Sequence, residues 1–213
     1  MNEVNTNRIQ LVCFDLGRVL IRICDNWKHA CERAGIRVPT REIDRAVMMD
    51  LVIRHETGRI DDETFCRLSS PVFGLNVEQV RKLSDAYIIE PYPGVEELIA
   101  ELRATGVKTA CLSNTNSNHW HKMCDASHHC GLPLDQMDYR FASQLIGQRK
   151  PDDAIYRHVE EVTGIAGGHI AFFDDMPINI DAAKQRGWEA FVIKQGGDPI
   201  AQIRGYLATL GVL

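Results

Sequence analysis

The stretch Leu11–Leu20, LVCFDLGRVL, decides how the rest of the chain is read. Its apolar residues run without a polar break into Asp15. A short apolar run closed by a turn signal suits a strand buried on both faces of a sheet. The first strand is therefore expected over Gln10–Phe14, with Asp15 at its carboxyl end. Working outward, a second strand is expected over Val107–Leu112, after a helix from about Val95 to Arg103 that stops near Gly106. Shorter strands fit Tyr139–Ala142, His169–Phe173 and Ala190–Ile193. Helices fit between them; Asp153–Thr163 places Ile155, Val159 and Val162 on one buried stripe, and Gly187 ends the helix before the last strand. Strands alternating with helices give an α/β fold, a doubly wound parallel sheet covered on both faces.

From about Asn26 to Tyr87 the pattern changes. Apolar residues recur at helical spacing (Val47, Leu51 and Val52; Phe65 and Leu68; Val80 and Leu83), with no convincing β run. A helical block inserted after the first strand has the look of a cap. Residues 23–91 are assigned to it, residues 1–22 and 92–213 to the core, with Pro91 and Pro93 marking the return.

Composition narrows the class. The 213 residues suffice for one core with a small insertion. A net charge of -5 argues against a basic face for nucleic acid. Met1–Gln10 is polar and lacks the build of a secretory signal, and no apolar run approaches the ~20 residues that span a bilayer. Seven cysteines at irregular spacing argue against a disulfide framework, so a cytoplasmic protein is expected. No pattern sets the oligomeric state.

Ligands of such sheets bind outside the carboxyl ends of the strands. Asp15 follows the first strand, Ser113 and Asn114 the second, and Asp174 with Asp175 closes the fourth. Lys150 lies on a loop opening a helix. Singly, each has a plain reading as a cap, a turn or a solvated lysine. Together on one rim they form a site. A carboxylate attacks phosphorus when the phosphoryl charge is neutralised and the approach is in line. Mg²⁺, a hard cation, prefers oxygen ligands, here Asp15, Asp175 and the Gly17 carbonyl. Lys150 would place a cation beside Asp15, while Ser113 and the Asn114 backbone N–H would donate to phosphoryl oxygens.

The segments LVCFDLGRVL, ACLSNTN, GQRKPDDAIY and IAFFDDMPINIDAA resemble, in order, the four motifs of the haloacid-dehalogenase superfamily. HETGRIDDETF and PYPGVEELIAELRATG resemble its branch of glucose-1-phosphatase-like bacterial phosphatases and phosphatase domains of epoxide hydrolases. The resemblance implies a Rossmann-like core and a phosphatase of small phosphorylated metabolites such as sugar phosphates. It implies Asp15 as nucleophile, Ser113 and Asn114 as phosphate binders, and Lys150 as charge stabiliser. It further implies Asp175 as metal ligand, Asp174 behind it, and Asn179 on the Lys150 loop.

Two departures stand out. The family's acid–base aspartate, two residues after the nucleophile, is Gly17 here. Loss of such help typically costs ~10²–10⁴-fold in rate, which favours substrates with good leaving groups such as sugar 1-phosphates. Arg18 stands where the family more often has Gly or Asn; it clamps an anionic substrate group or points to solvent. The competing readings are a catalytically silent binding or regulatory protein, a dehalogenase and a phosphomutase. The acidic pair argues against the dehalogenase, and Gly17 against the mutase. The segment His119–Cys130 is rich in His and Cys but lacks zinc-ligand spacing. Trp27 reads as core of the helical block.

Overall fold

The computed structural model describes residues 9–40 and 42–213; the polar start at Met1 lies outside them up to residue 8. In chain order the elements are β1 Leu11–Phe14, β2 Ile21–Ile23, α1 Trp27–Arg33, α2 Arg45–Glu56, α3 Asp62–Phe73, α4 Val77–Asp85, β3 Ile88–Pro91, α5 Val95–Thr105, β4 Lys108–Ser113, α6 Ser117–Cys124, β5 Tyr139–Ala142, α7 Ser143–Ile146, α8 Asp153–Thr163, β6 Ile170–Asp174, α9 Pro177–Gln185, β7 Glu189–Val192 and α10 Pro199–Thr209. Five strands form a parallel sheet in the order β5-β4-β1-β6-β7. The expected strands are all present, each end within one residue of its expected place.

Alternation along β1 explains its unbroken apolar run. Val12 and Phe14 enter a core with Cys111, Ala171 and Phe173 on one face. Leu11 and Cys13 enter a second core with Ala110, Leu112 and Phe172 on the other. Burial on both faces makes every position apolar. Helix α8 buries Ile155, Tyr156 and Val159, but Val162 is 51 % exposed. It sits in the last turn before the Gly164 cap, where no neighbouring element covers it.

Between β2 and β3 the chain builds four helices with their own apolar clusters, one around Leu51, Phe65 and Phe73 and one around Cys31, Ile36 and Leu83. Met48 and Leu51 carry the buried stripe of α2, leaving Val47 45 % exposed, contrary to the expected stripe. The antiparallel pair β2–β3 was not legible in the sequence. Runs of three and four residues, one ending in proline, carry too little periodicity to declare a strand. All seven cysteines are free. No helix among the described residues is long and apolar enough to cross a membrane.

One glycine fixes how the helical block meets the sheet layer. Gly58 follows α2 at φ +67°, and a Cβ there would lie 2.4 Å from the Gln144 carbonyl oxygen of α7. A rigid backbone oxygen cannot yield as a flexible side chain does. Gly58→Ala is expected to cost about 1–3 kcal/mol in a urea melt. An unchanged midpoint would mean that this contact tolerates a methyl group.

Candidate active site

The carboxyl ends of β1, β4 and β6 and the loop before α8 bring the predicted residues together. Lys150 is 1 % exposed. Its ammonium lies 2.9 Å from Asp15 Oδ1 and donates to Asp174 Oδ2 at 2.6 Å. Burial alone would lower the Lys150 pKa, but the two carboxylates outweigh it and hold the group above its ordinary range. Asp15 Oδ1 also accepts from the Leu16 N–H at 2.7 Å. Its Oδ2 is left without a protein partner among the described residues. Burial, reinforced by Asp174, pushes the Asp15 carboxyl up against the pull of Lys150.

Asp174 is wholly buried, and its oxygens are taken. Lys150 Nζ, the Met176 N–H at 2.8 Å and Asn179 Nδ2 at 3.0 Å from each oxygen all donate to it. Asn179 thus orients Asp174 rather than the Lys150 loop, where the sequence had put it. That loop is held by Asn114, whose Nδ2 donates to the Lys150 carbonyl at 2.9 Å and whose Oδ1 accepts from the Lys150 N–H at 2.8 Å. The motif spacing could not separate these two amides. Asp175 is raised by burial and by Asp174. One oxygen each of Asp15, Asp174 and Asp175 lies within 4.8 Å of the others.

Arg18, in the left-handed region at φ 60°, neither points free into solvent nor lines the cavity beside the site. Its guanidinium sits 3.6 Å from Asp175 Oδ2 and donates to the carbonyls of Cys24 and Asp25. At Gly17 a Cβ would meet Ile23 Cδ1 at 3.2 Å. A side chain at this position would therefore press on Ile23, which would have to give by a few tenths of an ångström.

A cavity of about 200 Å³ opens over this rim between Gly17, Ser113 and Asn114 and the helices α1–α4. Of its walls, sequence reasoning assigned only Trp27, to the core of the helical block, and left His55 and Tyr87 open between substrate contact and structure. Trp27 packs edge-on against Phe73, as a core residue should, and also lines the cavity. His55 donates to Asp62 at 2.7 Å and stacks on Phe65, and Glu56 pairs with Arg149 at 2.9 Å, tying α2 to the Lys150 loop. The Trp27–Phe73 and Glu56–Arg149 pairs join residues far apart in the chain, so no local pattern announces them. In the His119–Cys130 segment, Cys130 is buried with its thiol on the carbonyls of Ile88 and Ile89.

His119 donates from Nε2 to the Ser84 carbonyl at 2.9 Å and accepts on Nδ1 from Asn116 at 3.1 Å, which fixes a neutral ring. Burial pushes its pKa down to about 4. The unfolded chain, titrating near ~6.5, then binds the proton first as pH falls. This ring's contribution is complete above pH ~6.5 and is lost between there and about 4, by ~3 kcal/mol at most. His119→Gln is expected to flatten that part of the stability–pH profile in urea melts. A parallel profile would mean the ring is solvated.

The haloacid dehalogenase-like hydrolase family matches residues 9–187 of this chain. The chain belongs to that family. It is 26 % identical over 139 residues to phosphatase MT3486 of Mycobacterium tuberculosis, covering 64 % of this chain and 61 % of that protein's length. It is 25 % identical to the sesquiterpene phosphatase astK of Aspergillus oryzae, over 82 % of this chain and 84 % of the relative. The haloacid dehalogenase-family enzyme BT-2542 of Bacteroides thetaiotaomicron, in its complex with magnesium and inorganic phosphate, superposes with a TM-score of 0.72 at 22 % identity, covering 89 % and 96 % of the two chains. The family hydrolase described here thus shares its fold with an enzyme crystallised with both ions.

Proposed function

We propose that this hydrolase is a cytoplasmic, magnesium-dependent phosphatase of small phosphorylated metabolites, acting through an aspartyl-phosphate on Asp15. The observation that carries the reading is the pairing state of that carboxylate. One oxygen is pinned by Lys150 and the Leu16 N–H, and the other is unpartnered beside the rim where Ser113 and Asn114 lie. A nucleophile needs one oriented, unencumbered lone pair and a nearby cation to offset the phosphoryl charge.

The donor set fits a hard divalent ion. The carboxylates of Asp15 and Asp175 are within reach of each other. The turn after β1 spends the carbonyls of Leu16 and Ile21 on its own hydrogen bonds, and none of those bonds uses the Gly17 carbonyl. Asp15, Asp175 and Gly17 would hold Mg²⁺, with the saturated Asp174 behind them. Bound there, the ion neutralises charge on the phosphoryl group and the nucleophile. Asp15 attacks phosphorus, Lys150 keeps Asp15 ionised and oriented, and Ser113 with the Asn114 N–H steadies the phosphoryl oxygens. Helices α1–α4 act as the cap that closes the cavity. The names of the phosphatase relatives support the same reaction class.

Purified protein is expected to release phosphate from p-nitrophenyl phosphate with Mg²⁺, and to lose at least ~100-fold of that rate in EDTA. Metal-independent release of halide from a haloacid would favour the dehalogenase instead. Inertness toward a broad ester panel would favour a silent binding protein, the reading that Gly17 keeps alive.

A further inference from the structure

We infer that the phosphate ester taken by this cavity carries a compact, uncharged aromatic alcohol, a single phenol-sized ring, rather than a sugar. The inference rests on the phosphatase reading above and concerns only the group that leaves. Five of the residues lining the cavity present flat rings: Trp27, His55, Phe65, Tyr87 and His119. Trp27 lies against Tyr87 with centroids 5.2 Å apart, Tyr87 is parallel to His119, and His55 stacks on Phe65. Aromatic faces at such spacings favour a further ring beyond the area it buries.

The ionisable groups in these walls are already engaged. His55 is engaged by Asp62, Glu56 by Arg149, and both nitrogens of His119 by Ser84 and Asn116. Glu56 is raised by burial, against the pull of Arg149, as befits a carboxylate inside an apolar wall. The Tyr87 hydroxyl and the Trp27 N–H, which no hydrogen bond among the described residues uses, suit the one or two polar groups of a substituted phenol better than the several hydroxyls of a hexose. Among the described residues no lysine or arginine lines the cavity. A substrate with a second anionic group, such as a carboxylate, would bury that charge unpaired. The cavity, with about 200 Å³ of space, has room for a single ring.

The chemistry at the rim selects the same class. Gly17 supplies no side chain to protonate the leaving oxygen, and Ile23 Cδ1 crowds that position at 3.2 Å from a Cβ placed there. A phenol, titrating near ~10, leaves without that help, whereas an alkoxide does not. Asp15 forms a new bond to phosphorus as the bond to the phenolic oxygen breaks. The phenoxide carries off the electron pair and takes its proton from water. A second water then cleaves the aspartyl-phosphate, restoring the carboxylate and releasing inorganic phosphate and a proton.

The test compares kcat/KM for phenyl phosphate, cyclohexyl phosphate, glucose 1-phosphate and phosphoglycolate, each with Mg²⁺. Phenyl phosphate should exceed the sugar and carboxylate esters by ~100-fold or more. Cyclohexyl phosphate should show a several-fold higher KM and fall further behind in kcat. Equal or better turnover of glucose 1-phosphate would overturn the aromatic substrate and leave the phosphatase intact. Binding of benzylphosphonate, which cannot be hydrolysed, is measured alongside by calorimetry. It should bind ~10-fold or more tightly than methylphosphonate, and Val52→Asn in the wall should erase the difference. Selective binding with no turnover of any ester would uphold the ring site while removing the phosphatase reading. Equal binding of the two phosphonates would overturn the ring site itself.

Discussion

Asp15→Asn should abolish phosphate release, by roughly 10⁴-fold or more, while leaving the protein as stable as before or more so. The loss follows because an amide oxygen is a poor nucleophile and forms no phosphate ester that water can clear. The stability follows from the charge count at the rim. Lys150 faces both Asp15 and Asp174, and Asp175 lies within reach of the two with Arg18 beside it. Removing one carboxylate relieves like-charge crowding in a buried setting, yet leaves Lys150 paired with Asp174. The asparagine Oδ1 can still accept from the Leu16 N–H. A nucleophile held against its own electrostatics is a site where activity and stability pull apart. Three measurements check this: phosphate release, thermal melting in EDTA, and a mass increment of one phosphoryl group on wild-type protein quenched in acid, absent from the variant. Retained turnover in Asp15→Asn would place the chemistry on another residue.

Much of this site is readable in the chain because its parts sit at strand ends. An apolar run such as Leu11–Phe14 states both that it is buried and where it stops, so the residue after it is placed on the rim. Ser113 and Asp174 follow the same logic, each ending its strand. What the sequence could not resolve is which of two amides does which task. Asn114 and Asn179 are both short, polar and near the rim, and only their distances show one clamping the Lys150 loop and the other orienting Asp174. The cavity walls were equally hidden. Trp27 and Phe65 read as ordinary core residues and Tyr87 stayed undecided, because an aromatic ring lining a cavity obeys the same helical spacing as one packed in a core. Arg18 was legible as unusual but not as a neighbour of Asp175, since that contact depends on the turn that brings β2 back past β1.

Lys150→Met should be the most damaging single change in the molecule, losing both catalysis and fold stability. Lys150 is buried beneath Asp15 and Asp174 and rests over the Phe172 ring at 5.4 Å. Methionine fills much the same volume, so packing is kept and the charge alone is removed. Two carboxylates then share a dry site with no cation between them. Breaking a buried pair in this way typically costs ~3–5 kcal/mol, because an uncompensated charge is left inside. Activity should fall by ~10²–10³-fold, the loss expected when one fixed charge on a developing phosphoryl oxyanion is withdrawn. Asp15, already pushed up by burial, then loses the pull of Lys150 and takes up a proton more readily than in the unfolded chain, so the variant should regain stability as pH falls below neutral. Mg²⁺ should raise its melting temperature more than it raises that of the wild type, the ion supplying part of the missing charge. The double variant Lys150→Met, Asp174→Asn separates the two losses. Asp174 makes no use of its charge beyond holding Lys150, Asn179 and the Met176 N–H, so neutralising it should restore most of the stability and none of the activity. A double variant as unstable as the single one would show that Lys150 matters to the fold through something other than its charge.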